Sequence, residues 1–264
     1  MTHRETILEI LKNSDRPVSG EELSALLSVS RTAVWKEIEA LRKLGYEIDS
    51  APRRGYRLLS SPDRLTESEI RPYLSGCRLG QNLLCFESID STNTELKRQL
   101  LSGATGELVA IADEQTGGRG KSGGSFPSLK GLGLYLSALM FPEISTAETA
   151  EFTAKIAASV CDAIEEVCGI RPEIRGTNDL LIAEKKVCGI LTEVEIEAET
   201  DTVRNVIAGI GIYCHHTEKD FAENVRAERA SLDSFLETPV SRAKLAGTLI
   251  RHLEMIYQTT LEKR

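Results

Sequence analysis

Four segments of the chain combine residue types and spacings that can hold and polarise a ligand. Gln115-Thr-Gly-Gly-Arg-Gly-Lys-Ser-Gly-Gly124 places five glycines in ten residues, with Arg119 and Lys121 between them. Backbone amides and cations in that pattern can wrap a phosphate or a carboxylate, or the segment is a plain surface loop. It lacks the GxxxxGK[ST] spacing of a nucleotide phosphate loop. Asp90-Ser-Thr-Asn93 precedes a helical pattern. Its short polar side chains suit a helix cap, and the open amides of a helix start also suit an anion or a polar ring. Arg175-Gly-Thr-Asn-Asp179 leads into Lys185-Lys186-Val-Cys-Gly-Ile-Leu-Thr-Glu193, so Lys186 stands at a strand start, on the surface or facing a cleft. Ala208-Gly-Ile-Gly-Ile212 reads as a small-residue strand, which lets a ligand or another backbone approach closely or simply packs.

These segments need a scaffold, and the chain supplies two. Leu8, Ile10 and Leu11 mark a first short helix starting near Arg4. Ser19-Gly-Glu-Glu22 has the capping-box spacing and opens a helix with Leu23, Leu26 and Leu27. After Ser28-Val29, Ser30 can cap a third helix with Val34, Ile38, Leu41 and Leu44 on one face, ended by Gly45. YEIDS and GYRLL flank Ala51-Pro-Arg-Arg54 as a hairpin. Three helices and a hairpin form a winged helix-turn-helix, expected over residues 1–62. In that fold the third helix enters the major groove, so Arg31, Thr32, Trp35, Lys36 and Glu39 face outward toward double-stranded DNA. Arg53 and Arg54 at the hairpin tip are placed for phosphates or a minor groove. Winged helices also serve as protein-interaction modules, but the cap, the spacing and the basic tip agree on DNA. Residues 30–57 hold seven basic and four acidic side chains, against a net charge of −8 for the whole chain. Such a balance restricts nucleic-acid contact to one face.

Residues 60–66 read as a linker, and Thr66-Glu-Ser-Glu69 as a second capping box. Residues 63–264 then mix strands (NLLCFESI, LVAIADE, GLYLSALMF, VCGILTEVEI, NVIAGIGIYC) with helices near 91–102, 147–168 and 240–262. This is an α/β or α+β ligand-binding domain. No apolar run reaches the ~18 residues a membrane helix needs, and the N-terminus has no signal-peptide core. Cys77, Cys85, Cys161, Cys168, Cys188 and Cys214 form no CxxC pair and lie mostly in apolar stretches, so buried thiols in a reducing cytoplasm are expected. Four histidines without ligand spacing argue against a metal site.

The winged helix, DSTN, QTGGRGK, GLYLS, TND, KKVCGILTE and AGIGI stand in the order found in biotin protein ligases, and the chain resembles the bifunctional kind that also represses biotin synthesis genes. The likeness runs over about residues 4–262. It implies a class II synthetase-like core that activates biotin with ATP and Mg2+ as biotinyl-5′-AMP and passes it to a lysine of a biotin carboxyl carrier protein. By resemblance Ser91, Thr92, Asn93, Gln115, Gly118, Arg119 and Gly120 line the biotin side. Lys121 belongs to the same loop, and Gly189, Gly209 and Gly211 lie on the strands beneath. Lys186, with Arg119 as the other catalytic cation, neutralises the carboxylate and α-phosphate, and Asn178 and Asp179 shape the nucleotide side. The family dimerises through the sheet of this domain, which makes GLYLSAL and residues 187–196 the candidate surfaces.

The departures from the family fall in the reactive loops. Where the family reads GRGRxGRxF/WxSP, this chain has GRGKSGGSFPSL, so Lys121, Gly124 and Ser128-Leu129 replace two arginines and a Ser-Pro. Lysine keeps the charge but loses the bidentate fork. KWxND becomes Arg175-Gly-Thr-Asn-Asp179, without an aromatic wall at Gly176, and the first Asn of GIGINVN becomes Tyr213. The family also continues into a small SH3-like barrel, which this reading expects to be lacking after Arg264. Since losing one cation at a developing phosphate charge costs about 3 kcal/mol, the expectation is a homodimeric repressor that senses biotin, biotinyl-5′-AMP or a related carboxylate effector, with ligase chemistry lost or weakened. The alternative is an active bifunctional ligase and repressor.

Overall fold

The protein is described by a computed structural model, covering residues 2–51, 54–74, 76–197 and 199–261. It divides into two compact units, Met1–Asp63 and Arg64–Arg264.

The first unit consists of α1 (His3–Lys12), α2 (Gly20–Leu27), α3 (Arg31–Lys43) and the antiparallel hairpin β1 (Glu47–Ala51) and β2 (Gly55–Ser60). Each helix begins on a hydroxyl cap, with Thr2, Ser19 and Ser30 accepting from the amides of Glu5, Glu22 and Ala33. Ile7, Leu8, Leu11, Leu23, Val34, Ile38 and Leu41 close one core with Val18, Tyr46 and Ile48. Two apolar expectations fail: Leu26 and Leu44 are exposed. Leu26 lies on the outer side of a helix of eight residues, and Leu44 has already left α3 as its C-cap. Ser19-Glu22 is half a capping box, because the Glu22 carboxylate is drawn away by Arg16, 2.9 Å off. The reciprocal box lies instead at Thr2 and Glu5. Ser28 takes a left-handed φ of 54° in the tight turn between α2 and α3.

The second unit is built on a seven-stranded sheet ordered β3-β4-β5-β9-β8-β7-β6. Its strands are β3 (Leu83–Phe86), β4 (Leu108–Ala112), β5 (Gly133–Met140), β6 (Glu173–Arg175), β7 (Asp179–Ile182), β8 (Lys185–Glu197) and β9 (Thr202–Tyr213). Among the described strands only β3 and β4 pair in parallel. α6 (Thr149–Cys168) and α7 (Arg242–Leu261) cover one face, meeting Leu134, Leu136, Ala138, Val206, Ala208, Ile210 and Ile212 in the main core. α5 (Thr92–Leu101) covers part of the other through Leu96 against Ala110, Leu139 and Ile207. A strand covered on both sides is apolar throughout rather than alternating, which is why GLYLSALM reads as one run.

Several local expectations change. Thr66 makes no side-chain cap bond to α4 (Glu67–Ile70), and Glu69 is buried instead of exposed at a helix start. The short β6 and β7, joined by the turn containing Gly176, escape a search for long apolar runs. GLYLSAL cannot be a surface: every residue of β5 is buried between β4 and β9. β8, by contrast, pairs with β7 only as far as Gly189, and its later half pairs with β9 alone among the described residues. No disulfide joins the six cysteines, and four of them are buried.

Candidate functional site

Strand alternation puts Ile207, Gly209, Gly211 and Tyr213 of β9 on the sheet face opposite α6 and α7, together with Ser137 of β5 and Gly189 of β8. Glycine at three of these positions leaves a groove over the middle of the sheet. The groove is lined by Ser91, Thr92, Asn93 and Lys97 from the start of α5, by Gln115, Arg119, Gly120, Lys121 and Phe126 from the glycine-rich loop, and by Asn178, Lys186 and Glu193 beside it.

At one end the polar side chains form a closed network. Ser91 caps α5 by accepting from Thr94. The Thr92 hydroxyl lies 2.6 Å from Ser137 Oγ and 3.1 Å from Gln115 Oε1, and the Thr92 amide donates to the same Oε1 at 2.9 Å. Ser137 donates to Asn93 Oδ1, and Asn93 Nδ2 donates to Glu193 Oε2 at 2.9 Å. Lys97 closes the chain on the other Glu193 oxygen at 2.6 Å. Burial pushes the Glu193 carboxyl up, but Lys97, Asn93 and the charge of Arg119 overcome it and hold the group below the usual carboxylate range. At the other end the cations gather. Lys186 Nζ donates to Asp179 Oδ1 at 2.7 Å, and Asn178 donates to the same oxygen. Lys121 reaches Thr177 Oγ1 at 3.3 Å, tying the loop to the β6–β7 turn. The loop is itself closed by Gly120 N on Gly124 O and Phe126 N on Gly118 O. An arrangement with hydrogen-bonding groups at one end and cations at the other can hold a polar ring carrying a carboxylate.

The residues expected from the sequence gather here, with two corrections. Gly118 lies outside the lining: a Cβ there would strike Phe126 O and Ser128 Oγ, so its small size serves loop closure. Asp179 is outside it too and acts by holding Lys186. Gly209, Gly211 and Gly189 do line the groove, with the protein's own side chains over them, Asn93 over the first and Phe126 over the other two. Lys97, Phe126, Ser137 and Glu193 were missed. The four-residue spacing of Asn93 and Lys97 on one helix face was the available signal for the lysine.

Tyr213 does not face the groove. Its ring is fully buried and stacks on Phe126, with centroids 4.9 Å apart and planes at 5°. Its hydroxyl has no hydrogen-bond partner among the described residues, a loss of about 1–3 kcal/mol. Gly176 has a φ of 67° and open space around its Cβ position.

On the first unit, Arg31, Thr32, Trp35 and Lys36 form an exposed strip along the N-terminal half of α3, with Trp35 53% exposed. Glu39 is half-buried and bound to Arg42 at 2.6 Å. Arg54 is exposed, and Arg53 lies outside the described residues.

A family model described as "HTH domain" matches residues 3–57, and one described as "Biotin/lipoate A/B protein ligase family" matches residues 85–212. The chain is 36% identical over 258 residues to the bifunctional ligase/repressor BirA of Bacillus subtilis (strain 168), covering 97% of this chain and 79% of the relative. A stretch of 53 residues, 20% of this chain, is 49% identical to the probable transcription repressor NiaR of Thermotoga maritima, covering 30% of that protein. Among solved structures, the biotin protein ligase from Aquifex aeolicus in complex with biotin and ATP superposes with a TM-score of 0.57 at 27% identity, over 69% of this chain and 73% of that one. Among the described residues no helix is long and apolar enough to cross a membrane, and no cluster of His, Cys, Asp and Glu has the makings of a metal site.

Proposed function

The chain belongs to the biotin protein ligase family, of the bifunctional ligase and repressor type, and from that premise we propose that it works as a DNA-binding repressor that senses biotin or a closely related carboxylate. The observation that carries the reading is the two-ended groove, with the Thr92–Gln115–Ser137–Asn93 network at one end, Lys121 and Lys186 at the other, and Arg119 in the lining with its charge reaching Glu193. A cyclic urea or similar neutral head needs donors and acceptors held in place, and a carboxylate tail needs cations. The glycine-rich loop bridges the two. Ligase chemistry is weakened on this reading, because Lys121, Gly124 and Gly176 stand where the family has two arginines and an aromatic ring.

Ligand binding acts on DNA by linkage: whatever orders the loop and its surroundings also favours a homodimer, which sets two α3 helices on a palindromic operator. The half of β8 beyond Gly189 is the candidate edge for that dimer.

A second reading, the active ligase that biotinylates a carrier protein, is favoured by the survival of Arg119 and Lys186 in the groove lining. Native mass spectrometry with biotin and Mg-ATP, followed by addition of a biotin carboxyl carrier domain, separates the two. Biotin bound without adenylate supports the sensor. Adenylate and a biotinylated carrier establish the ligase, and no bound biotin removes both.

A further inference from the structure

Along β9 the groove stops at Phe126, and the residue packed behind that ring bears on what length of ligand fits. Side chains two apart on a strand are roughly 7 Å apart on one face, so positions 209, 211 and 213 mark a line along the sheet. Asn93 stands over Gly209 and Phe126 over Gly211. A third glycine would continue the groove past Phe126, but the next position is Tyr213, whose ring lies flat against Phe126. Tyr213 is itself enclosed: the Arg229 guanidinium lies 5.9 Å above the ring, and Phe221 and His216 pack edge-on at 5.0 and 4.8 Å. Phe126 is the one aromatic ring among the described residues that line the groove, and Gly176 offers no other. A purine entering here would stack on an aromatic face. The face of Phe126 that looks along the strand toward residue 213 is already covered by an internal ring.

We propose that Tyr213 occupies the place of a ligand's aromatic base, so that the groove admits a carboxylate of biotin's size and refuses a nucleotide or an acyl-adenylate. The inference rests on the reading of the groove as a biotin-type carboxylate site. The residues present therefore fit biotin and do not fit ATP, and Tyr213 is the specificity-determining residue. It stops the reaction at binding, whatever the loop cations could still do. The buried, unpartnered Tyr213 hydroxyl accords with this, since packing alone would be served as well by phenylalanine.

Calorimetry on the whole chain tests the assignment with three probes: biotin, Mg-ATP and a non-hydrolysable biotinyl-adenylate analogue. The wild type should bind biotin, give no heat with Mg-ATP, and bind the analogue no more tightly than biotin. Tyr213→Ala should bind the analogue at least tenfold more tightly than the wild type does, with biotin affinity changed less than threefold. Tyr213→Phe should keep the exclusion. If Tyr213→Ala does not fold by circular dichroism, Tyr213→Asn serves in its place. Mg-ATP binding by the wild type, or a folded Tyr213→Ala and Tyr213→Asn without any gain in nucleotide affinity, overturns the proposal. A wild type that ignores biotin, alongside a Tyr213→Ala that gains Mg-ATP, removes the biotin reading and leaves the blocked base position standing.

Discussion

A histidine ring buried away from water resists protonation, and His216 is in that position, 3% exposed between Tyr213 and Phe221, with no side-chain hydrogen bond to either ring nitrogen among the described residues. Burial brings its pKa down to about 4, while Asp220 and the Leu132 carbonyl pull the other way. The unfolded chain, with an ordinary value near ~6.5, takes up the proton first. This contribution is therefore complete above ~6.5 and is lost as pH falls toward about 4, amounting to about 3 kcal/mol. Urea melts of the larger unit between those pH values should show the loss, and His216→Phe should flatten it. Lys186 carries a second prediction. A charge-assisted hydrogen bond to a ligand carboxylate is worth about 1.5–3 kcal/mol, so Lys186→Met should weaken biotin binding roughly 10- to 100-fold, with Lys186→Arg recovering part of it in calorimetry. Asn93, Gln115 and Lys186 were named through the ordered motifs of the family likeness, since by themselves a helix-start asparagine reads as a cap and a lone lysine as a surface residue. The places of Phe126 and Tyr213 were not legible in the sequence, since an aromatic residue in a strand or loop reads as core until the glycines opposite it are known.

At the scale of elements, the hairpin of the first unit hangs on one glycine. Gly55 has a φ of 95°, and a Cβ there would overlap the Val18 carbonyl, whose strand-like bonds to Tyr56 run at 2.8 Å in both directions. Gly55→Ala meets both the backbone strain and the clash, and should destabilise this unit by at least about 2 kcal/mol in chemical denaturation. α3 yields a functional prediction. A side chain reading a base edge contributes about 1–3 kcal/mol and depends on sequence, whereas a phosphate contact depends mainly on salt. Arg31→Ala and Lys36→Ala should each weaken operator binding in fluorescence anisotropy while leaving biotin affinity unchanged. Equal binding by both variants and the wild type would show that α3 does not read DNA. The helices were legible from caps and apolar spacing, but the rival partners of the caps were not. Arg16 takes Glu22 from its box, a choice no local pattern records.

For the whole molecule, two separate cores imply two cooperative units. The chain has one tryptophan, Trp35, which belongs to the first, while far-ultraviolet circular dichroism reports both. Biotin at 100 times its dissociation constant stabilises the unit that binds it by about 2.7 kcal/mol. The dichroism transition of the larger unit should move up accordingly while the Trp35 fluorescence transition stays in place. A Trp35 transition that moves equally would mean that the two units unfold as one.

The sequence by itself determined what depends on neighbours along the chain. It separated the N-terminal helices and hairpin from the α/β remainder, marked α3 and the glycine-rich loop, and supplied the ordered motifs that carry the family likeness. These signals come from caps, turns and periodicity, which act over a few residues. The tertiary structure decided everything that required residues far apart to meet. It joined Asn93 to Glu193 and Lys97, seated Phe126 on Gly189 and Gly211, buried GLYLSAL at the middle of the sheet, and laid Tyr213 against Phe126. Which of two glycines faces open space and which faces a ring depends on strand pairing and register, and those are set by the collective burial of the sheet rather than by any local pattern.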